Sequence, residues 1–502
     1  MVLPDLRTLR DDIESFLGEL TEEYYQNNAG LKEEASTAEI YNKYDHLFSM
    51  ENVLSWKSED ATRDPDNIAT EETRGMRYIK AFCTMGFLDN VMKTLSDKAN
   101  TFEIKTTVDF DGEHIPYRQI PMKLRNEENP AKRRKVFEAK LAQTEILNEI
   151  LSERLATAHD QAVVLGFKNY SDLCSSLKGI DYKALEEQME QFLRRTEKTY
   201  VDSMDELLME KTNLTISEAW SCDIPFAFRG QEFDRYFAKE TLQDAFNTSL
   251  KGMGIDPAKY TNIHVDSEDR PRKNPRAFCA AVKVPDDIRL VIRPGGGWRD
   301  YEAYFHEGGH AWHFGSTWKK HPAEYKYLGD NSVTESFAFL IGYLPTNKSW
   351  LKGILGMKDT DEFVRFSLTH KLMFLRRYAA KLVYELKLHQ AKVTTGLEDV
   401  YRNCLQKALK VRHTEKHYLE DLDDGFYCAD YLRAWILEGQ IRAAVQEEFG
   451  EDWFVNERTG PFLKELWSYG QKYTADELVK TVGYVDLDME PMVQEIERGL
   501  AQ

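Results

Sequence analysis

The chain has 502 residues, of which 42% are hydrophobic and 30% charged, and its formal net charge is −19. That length exceeds a usual single core, so two or more lobes are expected of a globular protein. The acidic balance argues against a nucleic-acid partner or an anionic membrane surface, and no apolar run reaches the 18 residues of a membrane span.

In chain order, the first half is dominated by helical patterns. LRTLRDDIESFLGELTEEYY, RYIKAFCTMGFLDNVMKTL and KVFEAKLAQTEILNEILSERLATAHDQAVVLG repeat apolar residues at intervals of three and four. The charged, interrupted start does not read as a secretion signal. TFEIKTTVDFDGEHIPYRQI (101–120) alternates around an Asp-Gly pair and predicts a hairpin or an extended loop. The short basic run AKRRK (131–135) reads as a solvated helix face. AFCAAVKV (277–284) and IRLVIRP (288–294) are β-rich and joined by Pro-Asp-Asp, which predicts a hairpin over 277–294. PGGGWRD follows but lacks the Lys-Ser/Thr of a phosphate loop. A helix is then predicted over 300–314, with Asp300 as N-cap and Gly315 just past its end. The remainder is helical again, including the basic stretch RRYAAK (376–381), which reads as solvated. The expectation is a mainly α protein with one small β-sheet, divided into a helical lobe over 1–220 and a second, site-bearing helical lobe over 221–502. Six scattered cysteines without a CxxC pair suggest buried thiols in a reducing cytoplasm.

The helix at 300–314 carries YFHEGGHAWHFG. His306 and His310 are four apart, which places both imidazoles on one helix face, one turn apart. Glu307 follows the first of them. In an HExxH helix that glutamate serves as base toward a water whose pKa zinc lowers to about 7. A catalytic zinc needs a third protein ligand and an open position. His313 lies on the same face, but three ligands from one short helix converge poorly on a tetrahedral ion. Glu335, 25 residues beyond His310 and early in the next helix, is the better candidate. Ser332-x-x-Glu335 also spells a capping box, a competing role for the same carboxylate. His313 then falls beside the ligands or on the substrate side. Two mid-helix glycines cost helix stability. Gly309 should lie between the ligands where the Glu335 helix approaches, and Gly308 should face Phe305 and Trp312 and admit a neighbouring backbone.

HEGGHAWH, followed by a glutamate 29 residues after its first histidine, resembles the thimet oligopeptidase and oligoendopeptidase F family of zinc peptidases, whose pattern is HExGHAxH with a ligating Glu on the following helix. KNPRAFC (273–279) resembles the segment before that family's edge strand. The resemblance spans about residues 270–345, with weaker support over 370–440. The related angiotensin-converting enzyme family shares a similar spacing. The resemblance implies an elongated, two-lobed helical metallopeptidase with a deep central channel. It implies one Zn²⁺ per chain on His306, His310 and Glu335, Glu307 as general base, and hydrolysis of short unfolded oligopeptides. The family usually has a bulky residue where this chain has Gly308, and a different sequence where it has SFAF after Glu335, which bears on substrate preference.

Two further groups suit a peptide substrate. HTEKHYLEDLDDGFYCADYLRAW (413–435) resembles the late His and Tyr pair that binds the carbonyl and stabilises the oxyanion in both families, with His417, Tyr427 and Tyr431 as candidates. Ala280, Ala281 and Val282 are small residues on a strand whose edge can pair with an extended peptide. The alternatives are a C-terminal (di)peptidyl carboxypeptidase and an inactive zinc- or peptide-binding protein. The oligomeric expectation is a monomer or a homodimer.

Overall fold

The structure is a computed structural model that describes residues 6–54, 71–391 and 395–501. It is mainly helical, with five short strands among the described residues: β1 (Thr107–Phe110), β2 (Glu113–Pro116), β3 (Ile263–Asp266), β4 (Phe278–Lys283) and β5 (Asp287–Val291). Among the described residues, no helix is long and apolar enough to cross a membrane.

The chain divides into two compact units. One comprises Met1–Thr84, Gln231–Val364 and Arg433–Met492; the other comprises Met85–Gly230, Arg365–Leu432 and Val493–Gln502. The passage near 230 lies close to the expected boundary at 220, but the first 84 residues belong with the HEGGH segment. Their apolar stripe explains this. Leu9, Ile13 and Phe16 of the helix Leu6–Asn28 share a buried cluster with Phe48, Ile79 and Ala323. The same helix runs along β4, close enough that a Cβ on Gly18 would stand 3.2 Å from the Val282 carbonyl oxygen. Such contacts join residues hundreds of positions apart, and helical periodicity carries no sign of them.

In this first unit the expected hairpin forms, with Cys279 opposite Leu290 and Ala280 opposite Arg289. It gains a third member: β3 pairs with β5 in parallel, giving the order β3-β5-β4. Ile288, Leu290 and Val291 of the central strand are fully buried. The HEGGH helix (Trp298–Ser316) packs on this sheet and against the Glu335 helix (Asn331–Gly342).

In the second unit the Asp-Gly pair forms a hairpin turn, with positive φ at Asp111 and Gly112 joining β1 to β2. The two basic runs lie in this unit; Lys132 and Lys135 of the first are exposed as expected, but the other cations of both runs are not solvated in that way. Arg133 is fully buried, 2.8 Å from Asp223, and Arg134 lies over the ring of Trp220. Arg376 is fully buried and donates to the carbonyls of Ala408 and Leu193. Arg377 pairs with Asp421, and Lys381 with Asp423. A basic run reads as surface because burying a charge is costly; here each buried cation is compensated by a carboxylate, a carbonyl or a ring.

Candidate metal centre

The HEGGH helix starts earlier than the sequence suggests. Its N-cap is Gly297, at φ 95°, and Asp300 sits in the first turn. From there the Asp300 carboxylate reaches back to accept the N–H groups of Gly295 (2.6 Å) and Gly296 (2.8 Å), so it holds the glycine loop rather than capping the helix. Gly315 does not end the helix, which continues through Ser316; it lies beneath Ile263 of β3, 2.7 Å from where its Cβ would be.

His306 and His310 share a face, with ring centroids 4.9 Å apart. Glu335 Oε2 lies 3.3 Å from His306 Nε2 and 3.6 Å from His310 Nε2. These separations suit one ion. Ligand atoms about 2.0–2.1 Å from a tetrahedral zinc stand about 3.3–3.4 Å from one another. The donor set, two imidazoles and one carboxylate, is also that of a zinc site with an open position. Glu335 does not form the capping box that its sequence also allowed. Asp330 caps its helix, accepting from Ser332 N at 2.9 Å, and leaves Glu335 one turn in, 5% exposed and turned toward the histidines. Burial pushes the Glu335 carboxyl up, but hydrogen bonds from His306 and His310 outweigh it and hold it well below the usual carboxylate range. Burial likewise pushes the His310 imidazole down, and the Glu335 carboxylate more than reverses this, leaving a net rise.

Glu307 points to the hairpin. Its Oε2 accepts the main-chain N–H of Cys279 at 2.9 Å. β4 is the outer strand of its sheet, and Glu307 is anchored to it beside Ala280, Ala281 and Val282. Ala280 is itself 5% exposed.

The two central glycines are explained by their neighbours. A Cβ on Gly309 would meet the backbone of the Glu335 helix, at 2.6 Å from Ala338 Cα and 2.7 Å from the Phe337 carbonyl oxygen. This is the close helix approach that the sequence suggested. Gly308 differs from expectation. Its neighbour is the ring of Phe246, 2.4 Å from a built Cβ, and not a backbone. Phe246 is wedged edge-on among Tyr304, Phe305 and Trp312.

His313 is not placed to touch a substrate. It is fully buried, with Nδ1 3.2 Å from Thr334 Oγ1 and Nε2 3.1 Å from the Gly470 carbonyl oxygen. Desolvation pushes its pKa down to about 3, so the ring is neutral. Thr334 Oγ1 also lies 2.9 Å from His310 Nδ1. Sequence reasoning missed Thr334, although its position immediately before the candidate ligand Glu335 was a usable signal. It also missed the Cys279 N–H and the Gly470 carbonyl, which no side-chain pattern reveals.

His417, Tyr427 and Tyr431 belong to the second unit, whereas the first unit alone assembles His306, Glu307, His310 and Glu335. Tyr427 and Tyr431 meet edge to face at 5.0 Å, and Tyr378 packs on Tyr431 at 5.4 Å. The His417 ring stands edge-on to Phe137, with Nε2 3.5 Å from Glu420, and burial pushes it down to about 4. The second unit holds another group of potential ligands, Glu385, Asp423 and Cys428. Cys428 Sγ donates to Glu385 at 3.1 Å, Asp423 pairs with Lys381 at 2.8 Å, and burial pushes Glu385 up to about 8. A protonated glutamic acid and a thiol already hydrogen-bonded to it make an internal network rather than a ligand set. All six cysteines are free.

No protein-family model and no curated protein matches this chain.

Proposed function

We propose that this chain is a zinc-dependent metalloendopeptidase acting on short unfolded oligopeptides, with one Zn²⁺ held by His306, His310 and Glu335. The observation that carries the reading is the convergence of Glu335 Oε2 on both imidazoles at close to tetrahedral edge lengths, all three ligand atoms lying within 4.8 Å of one another, with Glu307 on the same helix turned toward the outer strand β4. A purely structural ion would need no carboxylate in that place. When bound, zinc supplies Lewis-acid polarisation of the scissile carbonyl and lowers the pKa of a water.

The protein's own groups supply the rest. Glu307 takes the proton of the attacking water on one carboxylate oxygen and delivers it to the leaving amine, while the Cys279 N–H fixes the carboxylate's orientation. The outer strand offers main-chain groups at Ala280 and Ala281 to an extended peptide, which gives affinity with little dependence on sequence, whereas the Val282 carbonyl expected to join them lies against Gly18 of the helix Leu6–Asn28. The deep channel that the family resemblance implies would admit short unfolded peptides and exclude folded proteins. Six free cysteines suit a reducing, cytoplasmic setting.

The test is a mass-spectrometric digest of a mixed peptide library by wild type and Glu307→Gln at matched zinc content. Internal cuts by the wild type alone support the endopeptidase. Stepwise loss from C-termini would make it a carboxypeptidase. No cleavage with zinc bound would make it a binding protein.

A further inference from the structure

We propose that Thr334, His313 and the main-chain carbonyl of Gly470 form a one-way hydrogen-bond relay that holds a proton on His310 Nδ1 and so leaves Nε2 as the nitrogen that yields its proton to a metal. The inference rests on the metal-site reading for its purpose, but its direction follows from counting protons. The far end is a carbonyl oxygen, which only accepts. His313 Nε2, 3.1 Å from it, must therefore carry the ring's N–H. A fully buried imidazole with no carboxylate against it is neutral and has one N–H, so His313 Nδ1 is left as an acceptor. The hydroxyl of Thr334, 3.2 Å away, has a single proton and gives it to that nitrogen. Its remaining lone pairs face His310 Nδ1 at 2.9 Å and accept the N–H there. With Nδ1 holding its proton, Nε2, the nitrogen that faces Glu335, is the one left to give up its proton to a metal.

The fold holds both ends of the chain. Thr334 precedes Glu335 on one helix turn, so one element sets a candidate ligand and the partner of another. Gly470 sits at φ 57°, and a Cβ there would stand 2.6 Å from the Tyr325 carbonyl oxygen, so the turn that aims its carbonyl requires glycine. His313 is then a positioning residue, neither a ligand nor a substrate contact. An outer-shell bond that fixes a ligand's tautomer is worth about 10–100-fold in metal affinity.

The first measurement is the ring ¹⁵N–¹H spectrum of the metal-free full chain labelled at histidine, assigned by His310→Asn and His313→Asn. Nδ1–H at His310, with or without a second proton on Nε2, and Nε2–H with a bare Nδ1 at His313 are expected; a His310 lacking Nδ1–H, or a His313 protonated on Nδ1, overturns the relay. The second is Zn²⁺ affinity by competition with a chelator. Thr334→Val, which keeps the shape and removes the hydroxyl, should bind zinc about 10–100-fold more weakly, and Thr334→Ser should restore wild-type affinity. Unchanged affinity in Thr334→Val overturns the proposal. Should the wild type bind no zinc, the metallopeptidase reading fails, and the metal-free tautomers decide the relay alone.

Discussion

A Cβ on Gly309 would lie 2.6 Å from the Cα of Ala338, so the helix bearing His306 and His310 touches the helix bearing Glu335 through bare backbone. Two opposing effects bear on Gly309→Ala. Alanine recovers about 1 kcal/mol of helix propensity. Overpacking against a backbone that cannot rotate away costs about 1–3 kcal/mol. The clash should win, and the two helices should separate at the point where their ligands converge. Gly309→Ala is expected to lower the melting temperature and weaken zinc binding. Gly308→Ala presses instead on Phe246 and should destabilise the fold while leaving zinc affinity near wild type. Equal zinc affinities for both variants, measured by chelator competition, would refute this division.

Glu307→Gln should fold and bind zinc as the wild type does, because the amide oxygen can still accept the Cys279 N–H. Without a carboxylate to carry the proton, peptide hydrolysis should fall by about 10²–10⁴-fold. Kinetics on one peptide at matched metal content check this. A fall confined to KM would assign Glu307 to substrate binding instead.

The site was legible where chemistry is local. The spacing of His306 and His310, and the presence of a carboxylate early in the next helix, pointed to atoms that the structure places within 4.8 Å of one another. Gly309 was legible for the same reason, since a costly glycine between two ligands needs a close neighbour. What escaped depends on residues distant in sequence. Phe246 fills the space beside Gly308, β3 joins the hairpin from outside it, and the helix Leu6–Asn28 covers β4. Asp300 escaped for a subtler reason. An aspartate before a helix suggests a cap, yet three glycines ahead of it let the chain turn earlier and offered it two N–H groups.

Zinc binding and pH should be coupled through Glu335 and His310. In the metal-free chain the depressed Glu335 carboxyl contributes stability that is present above its ordinary value near 4.5 and lost as pH falls through its lower folded value. The raised His310 imidazole contributes stability that is complete below about 6.5 and lost as pH rises through its higher folded value. Both contributions coexist between those two ordinary values. Zinc must displace the imidazole proton, so its affinity rises as that proton leaves. The melting temperature of the metal-free chain should fall from about pH 6 to about pH 8, and the increment added by zinc should grow over the same range. Glu335→Gln should flatten the metal-free trend. A zinc increment that shrinks with rising pH would contradict the linkage.

The buried Glu385 of the second unit should impose the opposite cost of an acid kept protonated. Burial pushes it up to about 8, against an ordinary value of 4.5, and its carboxyl is held between the Asp423 N–H and the Cys428 thiol. Between those values the native state keeps a proton that the unfolded chain releases, so stability falls as pH rises from about 4.5 and levels off above about 8. Glu385→Gln preserves the shape, can still accept from Asp423 N, and can turn its amide N–H to Cys428. Its melting temperature should match the wild type near pH 5 and exceed it by a widening margin toward pH 8. Thermal melts of both proteins across that range decide the point, because a constant gap would mean that Glu385 is ionised in the folded state and held by Lys381.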